Sequence, residues 1–347
     1  MQDDLQSQLA DFARRRNVAR LDPMLRDALQ GCIDAGLDQL PMPGSGRTLN
    51  RWRQLATVAG VDLALFKLYE GHTDALAIMQ ELGAPQPPAS FAPSASWGVW
   101  AAEPPNARVE ASKAPSEGHG NRVQLNGTKA WCSGAQQIDC ALITAWDHDT
   151  PWLVAFQLDQ PGVTIDAQAW QAVGMASTAS VDVHLDNAIG YCIGASGAYL
   201  ARPGFWHGGA GIAAAWYGAA VALARALHDQ RTKGRNDPHA DAHLGAVDAA
   251  LYGASVALRD CAAWIDAHPQ ADASLPVQRL RAQVESAVDQ VCRHVARALG
   301  AAPFCRDAHF ARLATDLPVF IRQSHAERDL AGLGQLVAAH TTEHWSL

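Results

Sequence analysis

This sequence of 347 residues has few charged side chains and no closely spaced cysteine pair. Charged residues make up 18% of the chain, which predicts that much of its surface is buried between subunits. The seven cysteines are an odd number, and none of them forms a Cys-x-x-Cys motif. That pattern favours reduced, mostly buried thiols over a disulfide framework or a zinc site, so no metal is expected.

Basic residues are outnumbered by acidic ones, 27 to 35, which gives a formal net charge of −8. This balance argues against nucleic acid or a membrane surface as the main partner. No continuous apolar run reaches the ~18 residues that a membrane span needs. The first segment, MQDDLQSQLADFARRR, also lacks the apolar core of a signal peptide. A cytoplasmic protein is therefore expected.

Three stretches of different periodicity follow one another along the chain. Residues 1–82 carry apolar residues at helical spacing, and a Pro- and Ser-rich linker follows Gly83. Residues 97–187 alternate like short strands, and Asn126-Gly127 predicts a tight turn between two of them. From Gly197 the helical spacing returns and predicts four long helices, the last of which includes FIRQSHAERD near the end of the chain.

These patterns predict an α+β protein with three domains. An all-α domain over 1–93 precedes a small antiparallel sheet or β-barrel over 94–195, and a four-helix bundle occupies 196–347. One bundle helix is expected to begin at Asp237-Pro238, because an N-cap residue is followed there by proline at the first helical position.

Two short motifs look like ligand sites, but a structural explanation is favoured for both. His239 and His243 in HADAH share a helix face and could hold a metal, although no Glu follows the first His as in zinc proteases. PGSGRT, residues 43–48, lacks the Lys and the preceding strand of a phosphate loop. A loop in which Thr48 or Asn50 caps a helix is the better interpretation.

The stretch NGTKAWCSGA, residues 126–135, is a candidate wall of a ring-binding site. Alternate side chains of a strand share a face, so Lys129, Trp131 and Ser133 are expected side by side. An indole beside a hydroxyl could cover a flat ring and bond its heteroatoms. Ordinary barrel core is equally compatible with this spacing.

Four motifs resemble those of the acyl-CoA dehydrogenase family of flavoproteins, over nearly the whole chain. NGTKAWCSGA is similar to the family's Asn-Gly-x-Lys-x-Trp-Ile-Thr/Ser strand, and WGVWAAEPP, 97–105, to its flavin-side strand ending in Thr-Glu-Pro. AWQAVGMASTASVDVHLDN, 169–187, is similar to its Gly-(Met/Gln)-x-x-Ser-x-Thr strand pair. RALGAAPFCRD, 297–307, resembles the Gln-x-x-Gly-Gly-x-Gly stretch that touches a neighbouring subunit's cofactor. The resemblance implies a helical domain, a β-barrel and a four-helix bundle, in that order.

The resemblance also implies FAD as the cofactor, held between barrel and bundle. Trp131 would lie against the isoalloxazine ring, and Ser133 would bond near its N5. The other edge of the ring would be lined by Trp100, Ala101 and Ala102. The residues implied to contact the dinucleotide of a partner chain are Arg297, Gly300 and Arg231, with Arg235 as an alternative to Arg231. A homodimer or homotetramer is implied in turn.

The family's catalytic Glu is missing from its expected position. In the family that Glu follows an Asp on the penultimate helix by eight residues, and here Asp316 matches the Asp while Ser324 takes the place of the Glu. A minority of the family carries the Glu on the first long bundle helix, where this chain has GFWHGG. The candidates for the group that acts on the substrate are therefore Ser324, His325 and His207.

Substrate residues are suggested by LYEGHTDAL, in which Glu70 and His72 interrupt an apolar helix. They could line an acyl pocket, although a solvated turn is the favoured explanation for both. The resemblance implies an FAD-dependent oxidoreductase that oxidises an acyl thioester, such as an acyl-CoA, or a related small molecule at the Cα–Cβ bond. That reaction needs a base within ~3 Å of the α-proton, for which His207, His325 or Glu70 could substitute.

Two alternatives remain open at the level of sequence. One is a flavin-dependent monooxygenase of the same fold, which needs no base for an α-proton. The other is a flavin-binding protein that has lost turnover, because a fold does not determine a function.

Overall fold

The structure is a computed structural model that describes residues 2–16, 23–83, 91–113, 121–168, 170–233, 237–339 and 345–346. Contacts within the chain divide it into two compact units. Unit 1 consists of Met1–Leu40 and Ala64–Phe205, and unit 2 consists of Pro41–Leu63 and Trp206–Leu347. Each unit joins two separate stretches of sequence, and the three-domain division at residues 93 and 195 stays a prediction.

Helices precede the first strand, as the periodicity predicts. They are α1 (Gln2–Arg15), α2 (Pro23–Asp34), α3 (Thr48–Ala59) and α4 (Leu63–Glu81). Helix α4 buries large apolar side chains such as Phe66 and Ile78, because it belongs to the core of unit 1. Gly83 follows α4 with a φ of 59°, the left-handed conformation that commonly ends a helix.

Seven strands follow in the part of the chain that the structure describes, and five of them close into a ring. The strands are β1 (Trp97–Trp100), β2 (Val109–Lys113), β3 (Arg122–Cys132), β4 (Cys140–Asp147), β5 (Thr150–Gln157), β6 (Val163–Asp166) and β7 (Val181–Ile193). The pairing order β4-β2-β3-β7-β5 returns to β4, while β1 joins β4 and β6 joins β7. The prediction of an antiparallel barrel is thus wrong in one respect, because β4 runs parallel to β1 and β2.

The predicted turn at Asn126-Gly127 is wrong, since both residues lie inside β3. The register between β3 and β7 shifts at this point, which marks a β-bulge. Gly127 has a φ of 122°, and a Cβ there would lie 2.2 Å from the carbonyl oxygen of Arg108. Asn126 accepts a hydrogen bond from the backbone N–H of Asn187 on β7. The Asn-Gly pair therefore shapes the bulge rather than a hairpin end.

The C-terminal part of the chain is helical, as predicted. After the short α5 (Ala198–Ala201) it contains α6 (Gly204–Lys233), α7 (Pro238–Ala267), α8 (Ser274–Leu299), α9 (Ala302–Arg306), α10 (Ala308–Phe320) and α11 (Glu327–Ala338). The predicted start of α7 is confirmed, because the Asp237 carboxylate accepts hydrogen bonds from the N–H groups of His239 and Ala240. Helix α3 belongs to the same unit as α7 to α11, whereas the short α5 belongs to unit 1.

The prediction that FIRQSHAERD lies within one helix is wrong. A 3₁₀ turn, Ile321–Gln323, follows α10, and Ser324 is extended with a ψ of 138°. The N–H groups of His325 and Ala326 donate to side-chain oxygens of Asp329 and Ser324 instead of helical carbonyls. Local side-chain hydrogen bonds of this kind compete with helix formation, which explains the break.

The loop that resembles a phosphate loop already binds a carboxylate of the protein itself. Asp266 on α7 accepts hydrogen bonds from the N–H groups of Gly46 and Thr48 and from the Thr48 hydroxyl. Arg47 is the N-cap residue of α3, and its side chain makes no capping bond. The expectation that Thr48 or Asn50 caps this helix is wrong, because Asp266 supplies the acceptor.

Helix α6 is long and apolar enough to cross a membrane by length and composition alone, with a mean hydropathy of 1.4 over its most apolar window. By this measure the expectation that no such segment exists is wrong. Yet 67% of that window is buried, and a core helix of a globular protein meets the same criterion. Gly218 explains part of this burial, because a Cβ there would lie 2.2 Å from the Ala56 carbonyl oxygen.

The second histidine of HADAH pairs across the bundle. The Nδ1 atoms of His243 on α7 and His294 on α8 lie 2.9 Å apart. Within the described residues, no group of three or more His, Cys, Asp or Glu side chains is placed to hold a metal. A hydrogen bond between two ring nitrogens needs a proton on one of them, so one imidazole donates and the other accepts.

We expect this histidine pair to make the protein less stable in acid. The pKa of His294 lies below its ordinary value of 6.5, chiefly through desolvation and then through nearby positive charges. The unfolded chain then binds a proton at this histidine more readily than the folded protein does. The folded protein therefore has its full stability above the unfolded pKa and loses stability as the pH falls through the folded pKa. Thermal melts between pH 8 and pH 5 should fall less for His294→Gln than for wild type. His239→Gln should behave as wild type, and equal falls for all three proteins would contradict the prediction.

Candidate functional site

Trp131 is the most exposed tryptophan of unit 1, although it lies in strand β3. Its indole is 58% exposed, whereas both neighbours, Ala130 and Cys132, are buried. A second register shift of β3 falls between Lys129 and Cys132, and Trp131 has a φ of 61°. This bulge interrupts the alternation of side chains, so the indole faces outward from the barrel.

The bulge also separates Lys129 from Trp131, and the prediction that they share a face is wrong. Lys129 is 2% exposed, and its Nζ donates to the carbonyl oxygen and hydroxyl of Thr144, at 3.0 and 2.6 Å. The Glu103 carboxylate lies 3.6 Å from the same amine. Burial lowers the pKa of Lys129, which Glu103 partly offsets. Lys129 therefore holds β3 to β4 inside unit 1.

A second indole stands perpendicular to Trp131. The ring of Trp170 lies 6.4 Å from that of Trp131, at an interplanar angle of 89°. Its Nε1 is buried, and no hydrogen-bond acceptor for it exists among the described residues. A buried N–H without an acceptor costs about 1–3 kcal/mol, so a ligand that accepts from Trp170 would recover that free energy.

Ser133, two positions after Trp131, belongs to a chain of hydrogen-bonded hydroxyl groups. Ser133 Oγ and Ser180 Oγ are 2.7 Å apart, and Ser180 Oγ is 3.3 Å from Thr178 Oγ1. Thr178 donates in turn to the carbonyl oxygen of Met175. We call these groups and the two indoles the Trp131 site, which comprises Trp131, Ser133, Trp170, Thr178 and Ser180.

Trp100 is brought to the same region by a direct hydrogen bond. Its indole is buried, and its Nε1 donates to the carbonyl oxygen of Ser133 at 3.1 Å. Ala101 and Ala102 follow β1 and are half-buried and exposed, respectively. Their predicted contact with a cofactor ring stays a prediction, as does that of Trp100.

The side chains of the Trp131 site are of the kinds that bind a flat heterocyclic ring such as isoalloxazine. It offers an exposed indole for stacking, a buried N–H without an acceptor, and a hydroxyl at the end of a hydrogen-bonded chain. Ring ligands of this kind are held by aromatic contact together with a few directed polar groups. Of the residues described in unit 1, this set therefore has the composition required to hold the ring of a flavin.

The two predicted substrate residues of unit 1 are engaged with protein partners. Glu70 forms an ion pair with Lys67 at 2.8 Å. His72 is buried, and its Nδ1 accepts from the Trp97 N–H at 3.2 Å. Its Nε2 must then carry the proton, which it donates to Asp38 at 3.1 Å. A role for Glu70 and His72 in substrate binding stays a prediction.

In unit 2, Ser324 lies directly against a carboxylate. Its hydroxyl donates to Glu285 Oε2 on α8 at 2.5 Å, and it accepts from the Ala326 N–H at 3.1 Å. Arg322 donates to the other oxygen, Glu285 Oε1, at 2.8 Å. Ser324 is buried and the Glu285 side chain is 15% exposed. The position predicted to lack a carboxylate therefore has one supplied from a different helix.

Arg281 connects this cluster to the start of α6. Its guanidinium donates to the carbonyl oxygens of Gly209 and Gln323, at 2.8 and 3.3 Å. It also lies over the ring of Trp216 at 4.7 Å. Burial lowers the pKa of Arg281, and the charges of Asp329 and Glu285 act in the opposite direction. The polar cluster of FIRQSHAERD is thus tied to α6 and α8.

The two histidine candidates differ in their surroundings. His207 is buried at the start of α6, and a Cβ on Gly44 would lie 3.3 Å from its ring. His325 is exposed, and its Nδ1 lies 3.4 Å from Asp329. All three assignments stay predictions.

The residues expected to meet a dinucleotide lie on the helices of unit 2. Arg231 donates to Asp241 with two nitrogens, one of them at 3.0 Å from Oδ2. Arg297 is exposed in the last turn of α8, and Gly300 ends that helix with a φ of 62°. Arg235 lies outside the described residues. Their cofactor contacts stay predictions.

Sequence reasoning missed two groups that the structure places at these sites. Glu285 lies on a regular amphipathic helix, where a Glu is the most ordinary of surface residues. Its only distinguishing feature is tertiary, because Ser324 and Arg322 both donate to it. Trp170 offered a weak signal as a large aromatic residue just before the Gly174-Met175 motif.

Comparisons with known proteins identify the fold of this chain but match its sequence to no family. No family model matches the sequence, and a search of curated proteins gives no match. Solved structures match over nearly the whole chain. FMN-bound TdsC from Paenibacillus sp. A11-2 has a TM-score of 0.79 at 19% identity, with 98% of this chain and 97% of that chain covered.

Two other solved structures are similar. KijD3, in complex with FMN and dTDP-3-amino-2,3,6-trideoxy-4-keto-3-methyl-D-glucose, has a TM-score of 0.79 at 16% identity, with 97% and 92% covered. Methanesulfinate monooxygenase MsuC from Pseudomonas fluorescens has a TM-score of 0.76 at 17% identity, with 97% and 96% covered. The chain therefore has the acyl-CoA dehydrogenase-like fold that these enzymes share.

Proposed function

We propose that this protein is a flavin-dependent monooxygenase that uses reduced flavin and molecular oxygen on a small-molecule substrate. The carrying observation is Ser324, a hydroxyl at the position where the resembling dehydrogenases carry their catalytic Glu. Abstraction of an α-proton needs a base, whereas insertion of oxygen into a substrate does not. TdsC, a dibenzothiophene monooxygenase, and MsuC lend support as enzymes of the same fold.

The Trp131 site is the proposed contact of unit 1 with the flavin ring. Trp131 would cover the ring and exclude water from it, and Trp170 would donate its Nε1–H to an acceptor atom of the ring. A bound flavin would supply the electron-transfer chemistry, while these residues would bind and orient its ring. FMN and FAD carry the same ring, so both fit the site, and FAD is the form that the sequence resemblance implies.

Within unit 2, the Ser324–Glu285 pair would hold a proton at the substrate. The Ser324 hydroxyl donates a hydrogen bond to Glu285 and accepts one from the Ala326 N–H. One of its two lone pairs is therefore left for a ligand. A substrate O–H or N–H could donate to that lone pair. This arrangement favours substrates with a polar hydrogen over an unactivated acyl chain.

The route by which the flavin is reduced tests the proposal. The protein is titrated with FMN and with FAD, and each complex is mixed anaerobically with a panel of acyl-CoA thioesters or with NADH and a flavin reductase. We expect binding of a flavin, no bleaching by thioesters, and bleaching through the reductase. Bleaching by a thioester would establish the dehydrogenase instead, and a protein that binds neither flavin would overturn both proposals.

One observation supports an acyl-CoA dehydrogenase as the second candidate function. Glu285 places a carboxylate at 2.5 Å from Ser324 Oγ, so a base exists near the expected position although not in it. A thioester that binds this unit would then lose its α-proton to Glu285, directly or through Ser324. The anaerobic experiment above separates this candidate from the monooxygenase.

We also propose a cytoplasmic homodimer or homotetramer without nucleic-acid or membrane partners. Support for assembly comes from apolar side chains on the surface of α7, namely Tyr252 and Val256. Exposed apolar side chains on one helix are common where subunits meet. Light scattering of the flavin complex should give the mass of two or four chains, and a stable monomer would refute the assembly.

A further inference from the structure

A small cavity of unit 2 lies where α3, α6 and α7 meet, and it belongs to neither of the sites described above. Its volume is about 210 Å³, which is below the roughly 300–1,000 Å³ of sites for drug-sized ligands. An occupant must therefore be small. The apolar part of its wall is formed by Leu49, Trp52, Ala56, Ala214 and Leu258.

Close contact between α3 and α6 keeps this cavity open. A Cβ on Gly218 of α6 would lie 2.2 Å from the Ala56 carbonyl oxygen, and one on Gly211 would lie 3.1 Å from the Leu55 side chain. These contacts fix the distance between the two helices, so the helices cannot move closer together. Ala56 and Ala214 each carry only one side-chain carbon, which leaves space beside the contact. The cavity is therefore preformed, as small-molecule sites usually are.

Two guanidinium groups line the cavity without a carboxylate partner. Arg53 on α3 donates to Asn50 Oδ1 at 3.3 Å, and Arg259 on α7 donates to Ser255 Oγ at 3.4 Å. Both partners are neutral, and both distances exceed the ~2.7–3.2 Å of ordinary N–H···O bonds. In the part of unit 2 that the structure describes, no carboxylate pairs with either group, whereas Arg322 pairs with one. Their positive charges are therefore available to an anion.

The phenol of Tyr217 also lines the cavity, and it adds no negative charge. Burial raises the pKa of Tyr217, while the charge of Arg259 and a hydrogen bond with Ser255 act in the opposite direction. The phenol is therefore protonated at neutral pH. The cavity combines apolar walls with two positive charges, which is the composition that favours an anion with an apolar body.

We propose that this cavity binds a small organic carboxylate, whose ring-sized apolar body lies between α3, α6 and α7 and whose carboxylate pairs with Arg53 and Arg259. A carboxylate is the group that matches the planar fork of a guanidinium. Such a ligand would connect α3 to α7 and stabilise unit 2 by mass action. The inference stands independently of the proposed flavin function.

The test compares three probes by isothermal titration calorimetry of the full chain. Benzoate has a ring and a carboxylate, benzamide has the same ring without a charge, and acetate has the charge without a ring. We expect benzoate to bind about 10- to 150-fold more tightly than benzamide, the range that a hydrogen bond to a charged group gives. Acetate should also bind more weakly than benzoate, because it cannot cover the apolar walls.

Three variants show whether the probe occupies this cavity. Arg53→Gln and Arg259→Gln should each weaken benzoate binding about tenfold and leave benzamide binding unchanged. Arg293→Gln is the charge-matched control, because Arg293 is an exposed arginine of α8 that does not line the cavity. Ala56→Leu should fill the cavity and abolish binding of both ring probes, and a thermal melt shows whether this variant is folded.

Each contrary outcome overturns the inference. Equal affinity of wild type for benzoate and benzamide does so, as does unchanged benzoate affinity in both arginine variants or in a folded Ala56→Leu protein. A partner subunit could instead supply the carboxylate, because the exposed Tyr252 and Val256 lie on the same helix as Arg259. Benzoate would then fail to bind, and Arg259→Gln would lower the mass measured by light scattering. Flavin titration of the same proteins reports on the proposed function separately.

Discussion

Trp131→Ala is expected to weaken flavin binding about 5- to 150-fold while leaving the protein folded. Stacking of a flat ring on an aromatic side chain is worth about 1–3 kcal/mol, and every 1.4 kcal/mol changes an affinity tenfold. The indole is 58% exposed, so its removal opens no cavity in the barrel. Trp131→Phe keeps an aromatic face and should lose less than Trp131→Ala.

The measurement is a fluorescence titration with FMN and FAD, paired with a thermal melt of each variant. Leu200→Ala is the control, because Leu200 is also an exposed apolar residue of unit 1, at 61%, and lies outside the Trp131 site. It should bind flavin as wild type does. Unchanged affinity in Trp131→Ala would show that the ring lies elsewhere.

Periodicity predicted the fold well where it reflects burial on one face. The helical spacing before Gly83 and after Gly197 matches the observed helices, and Asp237-Pro238 starts α7 as expected. The Asn126-Gly127 pair gave a wrong prediction because a β-bulge and a tight turn can both use a residue with positive φ. Only the position of the partner strand distinguishes a bulge from a turn. Sequence spacing alone carries no information about that partner.

The candidate site was predictable only in its residue types. An indole and a hydroxyl beside each other suggested a ring-binding wall, but the bulge at Trp131 turns Lys129 into the barrel. The hydroxyl chain that includes Ser133 is completed by Ser180 and Thr178, which are more than forty positions away from Ser133. Contacts of that separation arise from tertiary packing.

The helix break at Ser324 also depends on contacts that local sequence spacing does not reveal. The spacing around FIRQSHAERD is compatible with one continuous helix, since no Gly or Pro interrupts that stretch. The break arises because Ser324, Asp329 and Glu285 bind the donors of this segment. Glu285 is 39 residues away in sequence, so the local pattern could not reveal it.

We expect Glu285 to determine whether a carboxylate introduced at position 324 can act as a general base. Arg322 and Ser324 each donate a hydrogen bond to one oxygen of Glu285. Ser324→Glu would place a second carboxylate against the first, and like charges at such a distance raise one pKa of the pair. A carboxyl group whose pKa is higher in the folded protein than in the unfolded chain binds its proton more tightly in the folded state. Its contribution to stability is therefore complete below the unfolded pKa, and it is lost as the pH rises through the folded pKa. Melts of Ser324→Glu should therefore fall between pH 5 and pH 8, unlike those of Ser324→Gln.

The double variant Ser324→Glu/Glu285→Gln should remove that repulsion and leave one ionised carboxylate at the position that the dehydrogenases use. The introduced amide can donate to it, and Arg322 stays nearby. A general base contributes about 10²–10⁴ in rate, so we expect this variant to bleach its flavin with an acyl-CoA faster than wild type by a factor in that range. Anaerobic stopped-flow absorbance measures the rate, and Ser324→Gln/Glu285→Gln is the isosteric control without a base. Ser324→Glu alone should lie below the double variant at pH 7, because its carboxylates share a proton. A single variant as fast as the double would show that Glu285 does not act on position 324, and bleaching by the isosteric control would place the base elsewhere.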